Sequence, residues 1–165
     1  MSYTTLQKTL IFLMRVSLGW VFLWAAMRQL VDPKWSASQF LAGAKTFPGF
    51  YSFFMEPAML PIVNVLVKWG HLLIGISLIL GVWVRVSAVF GTLLMLLYFF
   101  PRLDFPYVTN VNNFIIEYHL VYAMVLVYLA AVRAGRFWGL ENWFANLPPV
   151  ASVLERRPQL QAILG

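Results

Sequence analysis

Four apolar segments dominate this chain, and each is close to the length a helix needs to cross a bilayer. They cover residues 6–31, 59–84, 87–100 and 113–132. A hydrocarbon core about 30 Å thick calls for about 20 consecutive apolar residues. The third segment is short, so it recruits residues 84–86 and ends at Pro101. Backbone groups in lipid must satisfy their own hydrogen bonds, so segments of this length fold as helices. Composition agrees: 61% hydrophobic and 11% charged, against roughly 45–50% and 25% in soluble domains. The expected fold class is all-α, an integral membrane four-helix bundle. Residues 1–147 form the membrane domain and 148–165 an interfacial tail.

The N-terminal segment is read as the first span and not as a cleavable leader, because Arg15 and Arg28 interrupt it and no small-x-small site follows a short apolar core. The absence of cysteine excludes disulfides, thiolate metal sites and iron–sulfur clusters on this chain. The net charge of +6 is a topology signal and not a nucleic-acid footprint. With both termini cytoplasmic, Lys8, Arg85, Arg133, Arg136, Arg156 and Arg157 lie inside. Lys34, Lys45 and Arg102 lie outside, with Arg28 at the outer edge. That asymmetry follows the positive-inside rule and predicts a multi-pass plasma-membrane protein.

The connection over residues 32–58 is long and aromatic, with Trp35, Phe40, Phe47, Phe50, Tyr51, Phe53 and Phe54. Ser36 or Ser38 is expected to cap a short helix through Ala44, and Pro48–Gly49 to turn the chain. The segment reads as an interfacial anchor or a lid over the mouth of the bundle. The connection around Arg85 is tight, which makes the second and third spans an antiparallel hairpin. Residues 101–112 form a polar outer loop. The tail carries Trp138, Trp143 and Phe144, is broken at Pro148–Pro149, and rests on the inner face. Small residues at four-residue spacing (Ser77 and Gly81, Ser87 and Gly91, Ala131 and Gly135) allow close helix approach.

Ionisable residues within the apolar segments mark the candidate site. A charge facing lipid costs at least about 2.5–3.5 kcal/mol, so such groups face the bundle interior, pair, or line a path for a ligand or proton. At about 1.5 Å per residue, Lys68 and His71 lie roughly 10 and 15 Å inside a boundary near Pro61, and Glu117 and His119 roughly 8–10 Å inside one near Asn112. Arg28 ends the first span on the same side, and Tyr98 is the contribution of the third. Lys68 and His71 share a helix face. Glu117 and His119 would stand about 160° apart on a helix and cannot both face its centre; His119 shares its face with Tyr122.

Three arrangements compete at this point. One is a structural Lys68–Glu117 ion pair, with the histidines bonded to backbone or tyrosine. Another is a quinone or small-anion redox site. There a histidine donates to a quinone carbonyl, Glu117 or a histidine takes up protons, and Lys68 with Arg28 attracts an anionic donor. The last is a b-type haem held by His71 and His119. Arg15, deep in the first span, either snorkels to the interface or contacts a carbonyl.

Several patterns resemble a known family. Arg15, Leu18, Gly19 and Phe22 match the R-x-x-L-G-x-x-F opening of DoxX-type membrane proteins. Gly75, Leu78, Leu80, Gly81 and Arg85 follow their G-x-x-L-x-L-G-x-x-x-R pattern. The stretch 113–122, with Glu117, His119 and Tyr122, and the stretch 133–140 are similar to the last span and tail of the DoxD branch, which includes the large subunit of thiosulfate:quinone oxidoreductase. The resemblance covers residues 8–143. It implies a four-helix bundle and, for the DoxD branch, oxidation of thiosulfate to tetrathionate with electrons passed to quinone, usually beside a small DoxA partner. Many relatives carry Glu where this chain has His71.

The resulting expectation is a quinone-linked oxidoreductase subunit using thiosulfate or a similar sulfur anion. His71, Glu117 and His119 act at the quinone; Arg28, Lys68, Arg102, Tyr98 and Tyr122 bind substrate; Arg15, Gly19, Gly75, Gly81 and Arg85 hold the structure. Expected partners are the lipid bilayer, quinone, and other membrane subunits or further copies of the chain. The rival expectation is a non-catalytic accessory subunit of a larger respiratory complex.

Overall fold

A capping box opens the first helix: Thr4 Oγ1 accepts from the Gln7 amide at 3.3 Å, and Gln7 Oε1 accepts from the Thr4 amide at 2.8 Å. From there the computed structural model, which describes residues 3–156, runs α1 Thr5–Val31, α2 Ser38–Ala42, α3 Pro48–Phe53, α4 Leu60–Leu80 and α5 Val84–Arg102. A small antiparallel sheet follows, β1 Leu103–Asp104, β2 Tyr107–Val108 and β3 Asn110–Phe114. After it come α6 Tyr118–Ala131, a 3-10 turn Ala134–Arg136, α7 Glu141–Ala145 and α8 Pro148–Arg156. The end of the expected tail, including Arg157, lies outside the described residues.

The fold is an all-α membrane bundle. α1, α4 and α5 are each long and apolar enough to cross a bilayer, while α6 is a shorter apolar helix of 14 residues. The expected fourth span therefore begins late, because residues 110–114 pair in the sheet and Glu117 caps the helix instead of lying inside it. Pro48 and Pro148 are the first residues of α3 and α8, so the expected turn and break fall immediately before them. Proline's fixed φ and missing N–H suit the first helical turn. The expected serine cap does not form: α2 runs Ser38–Ala42 from Ala37, with no side-chain cap.

α1 packs along α4, α4 against α5, and α5 along α6, whereas α1 meets α6 only sparsely. The α1–α4 contact is a backbone approach: a Cβ on Gly75 would stand 2.6 Å from the Leu23 amide and 3.0 Å from the Gly19 carbonyl. Gly91 admits Leu126 between α5 and α6 in the same way. The core between the helices is Ile11, Leu18, Phe22, Ile74, Leu78, Ala88, Met95, Ala123, Leu126 and Leu129.

At the tail end, Arg15 is fully buried. Its guanidinium donates to the carbonyls of Leu78 (2.9 Å) and Ile79 (3.4 Å), and to Phe137 and Trp138 (both 3.4 Å). The last carbonyls of a helix have no partner within it, and Arg15 satisfies two of those of α4 while tying the post-α6 segment to the bundle. Gly81 ends α4 with φ +69° and lies against that guanidinium. Leu140 donates to the Leu80 carbonyl at 2.9 Å. Residues 137–141 are thus built into the end of the bundle and do not merely rest on it.

At the opposite end, α2 and α3 cover the mouth. Pro101 has no N–H to offer the Leu97 carbonyl one turn back, and the Tyr51 hydroxyl donates to that carbonyl instead, at 3.1 Å. Asn64 Oδ1 accepts from the Ala37 amide at 2.9 Å, and Ala37, Leu41 and Tyr51 form a second small core with Phe40 and Phe100 packed on it. This anchored segment makes one wall of the site.

Candidate functional site

Two cavities meet under that segment. The inner one, of about 220 Å³, lies between Val21, Phe22 and Ala25 of α1, His71 of α4, Met95 and Tyr98 of α5, and Tyr118, His119 and Tyr122 of α6. It sits beside the sparse α1–α6 seam. The outer one, of about 550 Å³, is a vestibule lined by Asp32, Lys34, Trp35, Ser36, Ser38, Phe40 and Arg102. Gln29, Tyr98 and His119 line both. The Gln29 side chain is hydrogen-bonded to the Tyr98 hydroxyl.

Glu117 and His119 form one unit. Because Glu117 is the N-cap of α6, with extended backbone, the 160° separation expected of two helical residues does not apply. Glu117 Oε2 accepts from the His119 amide at 3.1 Å and contacts His119 Nδ1 at 2.7 Å. Both residues are buried. A carboxylate on Nδ1 assigns that nitrogen the proton and turns Nε2 to the cavities. Glu117 Oε1 lies 3.6 Å from Arg102, whose guanidinium also donates to the Tyr118 hydroxyl at 2.9 Å. Glu117 is therefore paired with Arg102 and His119, not with Lys68 as the ion-pair reading required. His71 Nδ1 lies 2.8 Å from the Val67 carbonyl, which makes it the donor, so the neutral ring offers Nε2 as an acceptor.

The remaining expected residues divide. Tyr98, Tyr122 and Arg102 line the cavities. Lys68 is half-buried, with its ammonium 5.2 Å from the Trp35 ring centroid. Neither it nor the exposed Arg28 lines the two cavities. Sequence reasoning passed over Gln29, although a signal was there: Ile11, Arg15, Phe22, Ala26 and Gln29 fall on the one buried face of α1, and Arg28 is a step off it. Glu141 was missed too. It is buried at the tail end in the field of Arg136, Arg133, Arg15 and Arg85; burial pushes its carboxyl above the ordinary value, and the arginines oppose that with the smaller effect.

A haem does not fit this arrangement. Tyr98 packs on both imidazoles, with ring centroids 5.7 Å from His71 and 5.6 Å from His119, so a macrocycle between them would have to displace it. No group of three or more metal-ligating side chains occurs among the described residues. A single substituted ring does fit: about 150 Å³ accommodates a benzene, and the inner cavity offers flat aromatic walls and imidazole nitrogens.

The family model for DoxX matches residues 10–101. The chain belongs to the DoxX family. This is a membrane family associated with quinone-linked oxidoreductase systems. The match spans α1 to α5 and so covers Arg15, Gly19, Gln29, His71, Gly75, Gly81 and Tyr98; Glu117 and His119 lie beyond it. No curated protein and no solved structure matches the chain.

Proposed function

We propose that this DoxX protein is a quinone-linked oxidoreductase subunit that oxidises a small sulfur anion of the thiosulfate type in the vestibule and passes the electrons to a quinone in the inner cavity. The observation that carries this reading is the pair of adjoining cavities with a shared wall. One is polar and bears Arg102 and Lys34; the other is ring-sized, lined by tyrosines and imidazoles, and set beside a seam between membrane helices. The balanced reaction joins two thiosulfates through a new S–S bond. The two electrons released, with two protons, convert a quinone to a quinol.

The chain's own groups divide the work. Arg102 and Lys34 draw the dianion into the vestibule, and the Ser36 and Ser38 hydroxyls add hydrogen bonds. Phe22, Tyr98, Tyr118 and Tyr122 supply the aromatic walls of the cavity that takes the quinone ring. Protonated His119 donates from Nε2 to a carbonyl oxygen, with Glu117 as its counter-charge. His71 Nε2 accepts from the hydroxyl formed, so it favours product over substrate at that position.

The test is anaerobic reduction of a short-chain quinone by the purified protein, with and without thiosulfate. His71→Ala and Glu117→Ala are expected to lower thiosulfate-dependent turnover at least tenfold while both variants keep the helicity of the folded protein; Glu117→Ala also loses the α6 cap, so it should unfold at a lower temperature. Unchanged turnover in both variants would refute the site. No thiosulfate-dependent reduction by the chain alone would favour the accessory-subunit role.

A further inference from the structure

The two cavities communicate through three side chains, Gln29, Tyr98 and His119. An amide neither gains nor loses a proton in water and a phenol is a weak acid with a single site, whereas an imidazole can take a proton at one ring nitrogen and release it at the other. His119 is thus the one shared group suited to carry a proton between them. Its surroundings fit that task. Glu117 holds Nδ1 at 2.7 Å. Arg102 and Tyr98 approach from α5, Tyr118 and Tyr122 from α6, Gln29 from α1 and His71 from α4.

Between the helices the bundle is filled by an apolar core that includes Leu18, Ile74, Leu78, Ala88, Ala123 and Leu126. Among the described residues the buried charged side chains towards the tail are Arg15, whose guanidinium is committed to carbonyls, and Glu141 at the tail end itself. His71 lines the inner cavity and not the vestibule.

We infer that protons for the quinone enter only from the vestibule, carried by His119 with Glu117 as its positioning residue, so that electrons and protons arrive from one side and turnover moves no net charge across the membrane. The inference rests on the quinone reading and adds its sidedness. Each quinone reduced removes one electron from each of two vestibule anions and two protons from the same compartment.

The test uses the full chain in liposomes containing a long-chain quinone. A pH dye reports each compartment, a second dye reports membrane potential, and thiosulfate is added on the vestibule side. The chain has no cysteine, so Asn112→Cys, at an exposed position of β3, reports orientation through an impermeant maleimide. Two protons per quinol should disappear from the vestibule compartment, with no potential developed. His119→Gln should lower the rate at least tenfold. Glu117→Gln should lower it less and lose activity first at alkaline pH, where the imidazolium lacks its counter-charge.

Proton uptake from the tail-side compartment, or a potential that grows with turnover, overturns the inference while leaving the quinone reading intact. Absence of any thiosulfate-driven reduction overturns both. The sidedness measurement needs no substitution in the site, so misfolding of the His119 variant would not obscure it.

Discussion

Gly75→Ala tests whether the α1–α4 backbone contact sets the geometry of the site. The added Cβ would stand 2.6 Å from the Leu23 amide nitrogen, 2.9 Å from its Cα and 3.0 Å from the Gly19 carbonyl. All three are backbone atoms, so no side chain can swing away. Since non-bonded carbons settle at about 3.5–4.0 Å, the helices must part locally by about 1 Å. Overpacking of this kind costs about 1–3 kcal/mol. The matched control is Gly70→Ala on the same helix, where the new methyl meets nothing within 4 Å. There the change should be stabilising by about 0.5–1 kcal/mol, because glycine loses more freedom on entering a helix. Unfolding of both variants in one detergent, followed by helicity, should therefore give shifts of opposite sign. His71 lies one turn from Gly75, so quinone turnover should fall in Gly75→Ala and not in Gly70→Ala. Equal stability of the two variants would refute the close-contact argument.

Two further predictions concern the tail end. Arg15→Lys cannot reach the four carbonyls that the guanidinium serves; unsatisfied buried groups cost about 1–3 kcal/mol. Limited proteolysis should release the segment after Phe137 faster than in wild type, and equal rates would count against the bridge. Glu141 has a folded carboxyl value raised mainly by burial, so proton binding favours the folded state. Its stabilising contribution is complete below the ordinary value of 4.5 and is lost as pH rises through the raised one. Wild type should thus gain stability over Glu141→Gln as pH is lowered from 7 towards 4.5; unfolding temperatures with the opposite slope would refute this.

The apolar pattern made three spans legible to within a few residues, because lipid leaves the backbone no alternative to the helix. The fourth was misplaced at its start. Its apolar run continues through Phe114, Ile115 and Ile116, but residues 110–114 pair with β2 as the edge strand of a sheet and the Glu117 side chain takes over the helix N-terminus. That one displacement explains the wrong angular separation of Glu117 and His119. It also explains why Arg102, at the end of α5, and not Lys68 is the partner of Glu117. Of the residues grouped by depth, His71, Tyr98 and His119 line the cavities and Glu117 holds His119, whereas Arg28 and Lys68, placed at the same level, do not, because depth does not fix which way a side chain faces. Gln29 and Glu141 were not legible, since their burial depends on which helix faces meet, and no local pattern of charge announces it.

The shortness of α6 has a consequence for the surrounding lipid. Its 14 residues rise about 21 Å, some 9 Å less than the average hydrocarbon core, and the strand before it exposes Val111 and Phe114. The unpaired edge of β3 cannot enter hydrocarbon, where its free amides and carbonyls would find no partners. The bilayer is therefore expected to thin beside α6 while keeping its full depth along α1, at a fraction of a kcal/mol per ångström of mismatch. A protein with one short flank imposes a slope on its annulus of lipid, and should settle more readily in thin membranes than in thick, sterol-stiffened ones.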